Sequence, residues 1–198
     1  MKTWDERAGN YLTWREGFSF NLIKRNLIYT PILKMILKKK LKEINPKLLL
    51  EVGCGPGRLF DLYNNIESVC IDSSEKMLVR ANGLMENKKH SNITLLLMDI
   101  CNQESFFKKF DLFFDVVITS NVLLHIPHNK IDAAIKNICG VAINVICVEW
   151  VEPNANEREG CYLHDYESLF GKHGFFVNDS LKIPFEKQIM YHFVSGGE

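Results

Sequence analysis

Residues 48–59 read LLLEVGCGPGRL, an apolar run followed at once by three glycines on alternate positions. Glycine lets a backbone turn through positive φ, and it lets another group touch the chain where a side chain would intervene. A tight turn alone accounts for one such glycine, or two. A third suggests a ligand resting on the backbone. If the run is a strand that opens into a helix, the glycines lie at the carboxyl end of a sheet, where open α/β folds bind ligands.

Outward from this stretch the pattern alternates. Short runs rich in Val, Ile and Leu occur at 47–52, 67–71, 93–98, 115–119 and 142–149, as expected of parallel strands buried on both faces. Helix-like segments fill the gaps at 57–64, 73–88, 103–109 and 129–139, with Asp72-Ser73-Ser74-Glu75 as a capping box. This alternation predicts a doubly wound α/β sheet. Near the end, HDYESLFGKHG (164–174) reads as a helix, and GFFVND and EKQIMYHFV read as two strands. The short turn around Pro184 permits only an antiparallel hairpin, so seven strands are expected with the last antiparallel.

Before the sheet, residues 5–43 read as helical with a break at Thr30-Pro31, and Asn45-Pro46 ends the region. The piece ILKMILKKKLKEI is amphipathic and basic. A membrane-surface role is one reading, and a solvated lysine face over a packed stripe is the preferred one. A single domain is expected, with residues 1–45 as a helical cap and 46–198 as the α/β core.

Composition narrows the class. The 198 residues carry 24 basic and 24 acidic side chains, so no net field favours nucleic acid or an anionic membrane. No apolar run reaches the roughly 18 residues of a membrane span, and the start MKTWDER lacks the form of a signal peptide. Six cysteines without a CxxC pair read as reduced thiols of a cytoplasmic protein.

The glycine spacing argues against a nicotinamide or flavin site. Counted from Gly53, the third glycine of G-x-G-x-x-G would fall on Arg58. The loop is instead E-x-G-x-G-x-G, which suits a ligand with no pyrophosphate to cradle. Asp72 ends the second strand and Asp99 the third. A carboxylate at the first tip can accept both hydroxyls of a ribose, and one at the second can accept an adenine amino group.

The ordered set LLLEVGCGPG, CIDSSEKML, LLLMDI and FDVVITSNVLLHI resembles the class I S-adenosylmethionine-dependent methyltransferases, from about Lys47 to Glu149. The resemblance implies S-adenosylmethionine as cofactor and S-adenosylhomocysteine as product. It implies Glu51 near the methionine amino group, and Gly53, Gly55 and Gly57 against the amino-acid part and ribose. Asp72 would bind the ribose hydroxyls, with Ser73 and Met77 lining ribose and adenine. Asp99 and the backbone N–H of Ile100 would bind adenine, and Asn121 would stand beside the sulfonium. An N-terminal aromatic segment with Trp4, Tyr11 and Trp14 reads equally as a packing stripe or as a lid, Tyr11 then covering the methionine end.

For the acceptor side, His125, His164 and Glu152 are the candidate acids and bases, with Glu149 a further possibility at the rim. His125 has a structural alternative, and His164-Asp165 reads also as an exposed helix cap. His125 and His128 form H-x-x-H, but no nearby carboxylate or cysteine completes a metal set, so no metal is expected. A small-molecule O- or N-methyltransferase is the preferred reading. A nucleic-acid or protein methyltransferase lacks support because SNVLLH replaces the (N/D/S)-P-P-(Y/F) tip of amino-directed base methylases. A non-catalytic cofactor-binding scaffold is the third reading. A monomer or homodimer is expected, with no nucleic-acid or membrane partner.

Overall fold

The computed structural model describes Asp5 and residues 28–102, 110, 113–151, 160–184 and 187–196. Seven strands form one sheet: β1 (Leu48–Val52), β2 (Glu67–Asp72), β3 (Ile93–Leu97), β4 (Phe114–Ser120), β5 (Ala142–Trp150), β6 (Phe175–Lys182) and β7 (Gln188–Ser195). Their order is β3-β2-β1-β4-β5-β7-β6. The first five are parallel, while β7 runs antiparallel to both β5 and β6. This is the expected doubly wound sheet with its antiparallel end.

The two-residue period of each strand divides its side chains between two apolar layers. Leu50 and Val52 of β1, Val117 of β4, and Val145 and Cys147 of β5 enter one layer. Leu49, Val116, Ile118, Ile146 and Val148 enter the other. Helix α1 (Thr30–Ile44) lays Leu33, Leu37 and Leu41 on the second layer at i, i+4 spacing, and α2 (Glu75–Lys88) adds Ala81. Helix α3 (His128–Cys139) covers the first layer with Ile131, Ala134, Ile135 and Ile138, and α4 (Tyr166–Gly171) adds Phe170.

Several elements differ from the sequence reading. The helix expected at 57–64 is three residues of 3₁₀ helix, Phe60–Leu62, held by bonds such as Leu62 N–H to Leu59 O at 2.8 Å. Gly57 at φ +83° fixes its start, leaving too little chain for α-helical bonding to propagate. The cap of α2 is Ser74, which accepts from Met77 N–H, rather than Asp72, so the expected box is displaced. Lys40 is not part of a solvated face. It is buried, with its ammonium 2.7 Å from Glu43 and 2.9 Å from Asp179 on β6. The helix expected at 103–109 and the aromatic segment of Trp4, Tyr11 and Trp14 lie outside the described residues.

Among the described residues no helix is long and apolar enough to cross a membrane.

Candidate cofactor site

A cavity of about 470 Å³ opens at the carboxyl ends of β1, β2, β3 and β4. It is of the size that takes a small cofactor. The parallel register makes it. Val52 pairs with Ile71 on one side and Thr119 on the other, so the loops after three strands leave the sheet at one level.

The glycine loop forms its floor. Gly53 has φ +69°, and a Cβ there would come within 2.4 Å of Val122 Cγ2, so the β1 and β4 loops touch through this glycine. Gly55 has φ +54°, and a Cβ there would meet nothing within 4 Å. Its open face lines the cavity. Gly57 does not; it is buried against the Phe60 ring. The alternate glycines therefore divide the work: Gly57 serves the protein's own packing, Gly53 packs on Val122 while also lining the cavity, and Gly55 leaves its backbone open to it.

Asp72 ties the loop to β2. Its carboxylate accepts from Gly55 N–H at 2.8 Å and from Ser74 N–H at 2.9 Å. Burial pushes its pKa above the ordinary value, against the pull of these N–H groups. A carboxylate has about four acceptor sites, so capacity remains for a ligand hydroxyl. Glu51 is buried at the cavity wall, and burial raises its carboxyl to about 8, against the pull of nearby Arg58. A carboxyl held neutral beside an open cavity suits a cationic group, which would restore its charge. Ser73, Met77, Asp99 and Ile100 also line the cavity; Asp99 Oδ1 accepts from Cys101 N–H at 2.9 Å.

The opposite wall comes from the chain after β4 and the segment entering α4. Asn121 has φ +60° and lines the cavity, as does His125. Hydrogen bonds join the two segments: His125 Nδ1 to Gly160 O at 2.7 Å, with Cys161 Sγ 3.7 Å from the same nitrogen, Tyr162 N–H to Leu124 O at 2.6 Å, and His164 Nε2 to Ile126 O at 2.9 Å. A carbonyl only accepts, so the proton of this bond sits on His125 Nδ1.

His164 does not line the cavity; its ring lies 4.9 Å from that of His128, centroid to centroid. Glu149 is not at the rim. It is fully buried and accepts from Thr119 Oγ at 2.9 Å and from the N–H groups of Val122, Leu123 and Leu124 at 2.9, 3.0 and 3.4 Å. The strand's end is covered by the loop whose amides it collects, which a linear reading of VEWVE could not reveal. Tyr11 and Glu152 lie outside the described residues. No group of three metal-ligating side chains occurs among the described residues.

Arg58, Met98, Lys130 and Gly160 line the cavity without having been singled out. Arg58 had a signal, because it stands where a dinucleotide loop would carry glycine. It donates from Nη2 to Ser120 Oγ at 3.0 Å. Lys130 and Gly160 had none, since only folding brings them to this wall.

Residues 49–142 match the model of a methyltransferase-domain family. No curated protein sequence matches the chain. Among solved structures, the chain is similar to magnesium protoporphyrin IX methyltransferase of Synechocystis with bound S-adenosylmethionine. That match has a TM-score of 0.74 at 19% identity and covers 94% of this chain and 91% of that one. An S-adenosylmethionine-dependent methyltransferase of Clostridium acetobutylicum gives 0.73 at 13% identity, covering 96% and 99%. The mitomycin 7-O-methyltransferase gives 0.66 at 14%, covering 94% and 60%. The glycine floor and the carboxylates at the strand tips agree with that match: residues 49–142 belong to the methyltransferase-domain family, and the fold is the one seen in S-adenosylmethionine-dependent methyltransferases.

Proposed function

We propose that this methyltransferase acts on a small-molecule oxygen or nitrogen acceptor, with His125 as the general base. The observation that carries this reading is His125 itself: it lines the cavity, with the proton of its bond to Gly160 O on Nδ1. Two structural neighbours are named for methylating small molecules, a magnesium porphyrin and mitomycin, and the chain's balanced charge gives no surface field for nucleic acid.

Glu51 would meet the cofactor's ammonium, Asp72 the ribose hydroxyls, and Asp99 with Ile100 the adenine. Bound there, S-adenosylmethionine supplies an activated methyl group on a very good leaving group. Holding an acceptor in line at about 3 Å then provides much of the rate. His125 Nε2 would take the proton that a hydroxyl or ammonium acceptor must lose. His164 would brace the wall through Ile126 O, and Glu152 would serve as a second acid or base on the acceptor side.

Residues 1–45 read as a cap over one domain. Asp5 supports this: its carboxylate accepts from Ser74 Oγ at 2.6 Å, at the end of α2 beside Asp72 and Ser73.

The test is a screen of phenol, catechol, carboxylate and amine acceptors with methyl-labelled cofactor, followed by His125→Ala. Label should enter a small acceptor. The variant should lose about 10²-fold in turnover while binding S-adenosylhomocysteine normally. Label entering only RNA or protein would overturn the acceptor class, and full turnover of the variant would overturn the base.

A further inference from the structure

Behind the turn that follows β4, three polar side chains from distant parts of the chain close a ring of hydrogen bonds. Tyr29 Oη donates to Gln188 Oε1, Gln188 Nε2 donates to Asn121 Oδ1, and Asn121 Nδ2 donates to Tyr29 Oη at 3.4 Å. Each group donates once and accepts once within the ring. Tyr29 and Gln188 are only 4% and 3% exposed. Asn121 alone of the three lines the cavity.

The members come from three elements. Tyr29 immediately precedes α1, Asn121 follows β4, and Gln188 is the first residue of β7, paired there with Trp150 of β5. Asn121 is also one of three non-glycine residues at positive φ among those described. Asparagine tolerates that conformation better than most residues, yet it persists only where the surroundings fix it. The ring fixes the side chain, and Asn121 N–H to Val148 O at 3.0 Å fixes the backbone. In such a cycle each bond polarises the next, and reversing either amide would break it.

We infer that Tyr29 and Gln188 are positioning residues for methyl transfer, acting through Asn121 to set the cavity wall beside the reacting methyl group. This rests on the cofactor orientation proposed above, with the sulfonium next to Asn121. Neither residue touches the cavity, so neither is a catalytic residue. Their effect is selective. A relaxed turn changes the surroundings of the cationic sulfonium and its methyl, while the floor that holds the adenosine and amino-acid ends is built from other residues.

Calorimetry with S-adenosylmethionine, S-adenosylhomocysteine and sinefungin, in which a carbon bearing an amino group replaces the methylsulfonium, separates these effects. Tyr29→Phe, which removes one oxygen, and Gln188→Met should bind S-adenosylhomocysteine within about threefold of the parent. Each should lose about fivefold in the preference for S-adenosylmethionine and sinefungin over S-adenosylhomocysteine, the effect of one hydrogen bond. The double variant should lose no more than the larger single change, because either substitution opens the same ring. Gln188→Glu, which can still accept from Tyr29, should recover part of the preference. Unchanged ligand preference in Tyr29→Phe, or equal weakening for all three ligands, would overturn the inference. Failure of the parent to bind S-adenosylhomocysteine would instead overturn the cofactor reading beneath it.

Discussion

Asp72 illustrates how one side chain can serve the fold and a ligand at once. Its two oxygens already hold the amides of Gly55 and Ser74. Asp72→Ala therefore removes the proposed ribose acceptor and also loosens the glycine loop. Calorimetry should show S-adenosylhomocysteine binding weakened by about 1.5–3 kcal/mol, the range for hydrogen bonds to a charged group. Undiminished binding would show that the ribose lies elsewhere. Its place at the cavity was legible in sequence, because it ends an apolar run that reads as a parallel strand. Glu149 stands in an equivalent place and misled for that reason. Nothing local tells a carboxylate facing a ligand from one facing the loop that folds over it. His125 and His164 posed the same difficulty: their ring nitrogens brace a wall, and only the fold shows that His125 Nδ1 faces Gly160 O.

At the scale of the element, the segment after β4 depends on Glu149. Three successive backbone N–H groups point at one carboxylate, and burial pushes that carboxyl up to about 7. Glu149→Leu would leave these amides buried without acceptors, at about 1–3 kcal/mol for each such group. Denaturant unfolding should show the loss directly. Glu149→Gln keeps one oxygen acceptor and sheds a buried charge, so its loss should be much the smaller. Equal stability of the two variants would mean the loop is held by other contacts. The strands themselves were readable because burial on both faces writes a continuous apolar run. The 3₁₀ segment at Phe60–Leu62 was not, because apolar spacing looks alike over so short a stretch. The bulge at Val177/Asp179 in β6 also escaped notice, since it arises from pairing with β7 and not from composition.

For the whole molecule, two buried carboxyls set the pH response near neutrality. Glu51 at about 8 and Glu149 at about 7 both lie above the ordinary glutamate value of 4.5, with burial as the main cause. The folded protein therefore keeps protons that the unfolded chain releases above about pH 4.5, so this contribution to stability is lost as pH rises through the folded values. The melting temperature of the ligand-free protein should fall between pH 7 and 8. S-adenosylhomocysteine should reduce that fall, because its ammonium favours the charged form of Glu51. Glu51→Gln should flatten much of the dependence, and a parent melting temperature that rises over this range would refute the assignment. Architecture was the most legible level of all, since alternating strand and helix leaves few ways to wind a sheet. The position of the final hairpin was less so, as sequence fixes its sense but not its neighbour.

That position has a consequence during synthesis. In the finished sheet β6 joins the other strands only through β7, which follows it in the chain. While the ribosome is still making residues 175–187, β5 presents an open edge, and β6 has no strand within the sheet to receive it. The hairpin must assemble and dock as a unit once residues 188–195 have emerged, and a chain arrested earlier would carry an aggregation-prone edge. Gln188 arrives with that last strand. Until then the turn at Asn121 lacks its ring, so a nascent chain could complete the glycine floor and the adenine wall well before the reactive end of its site.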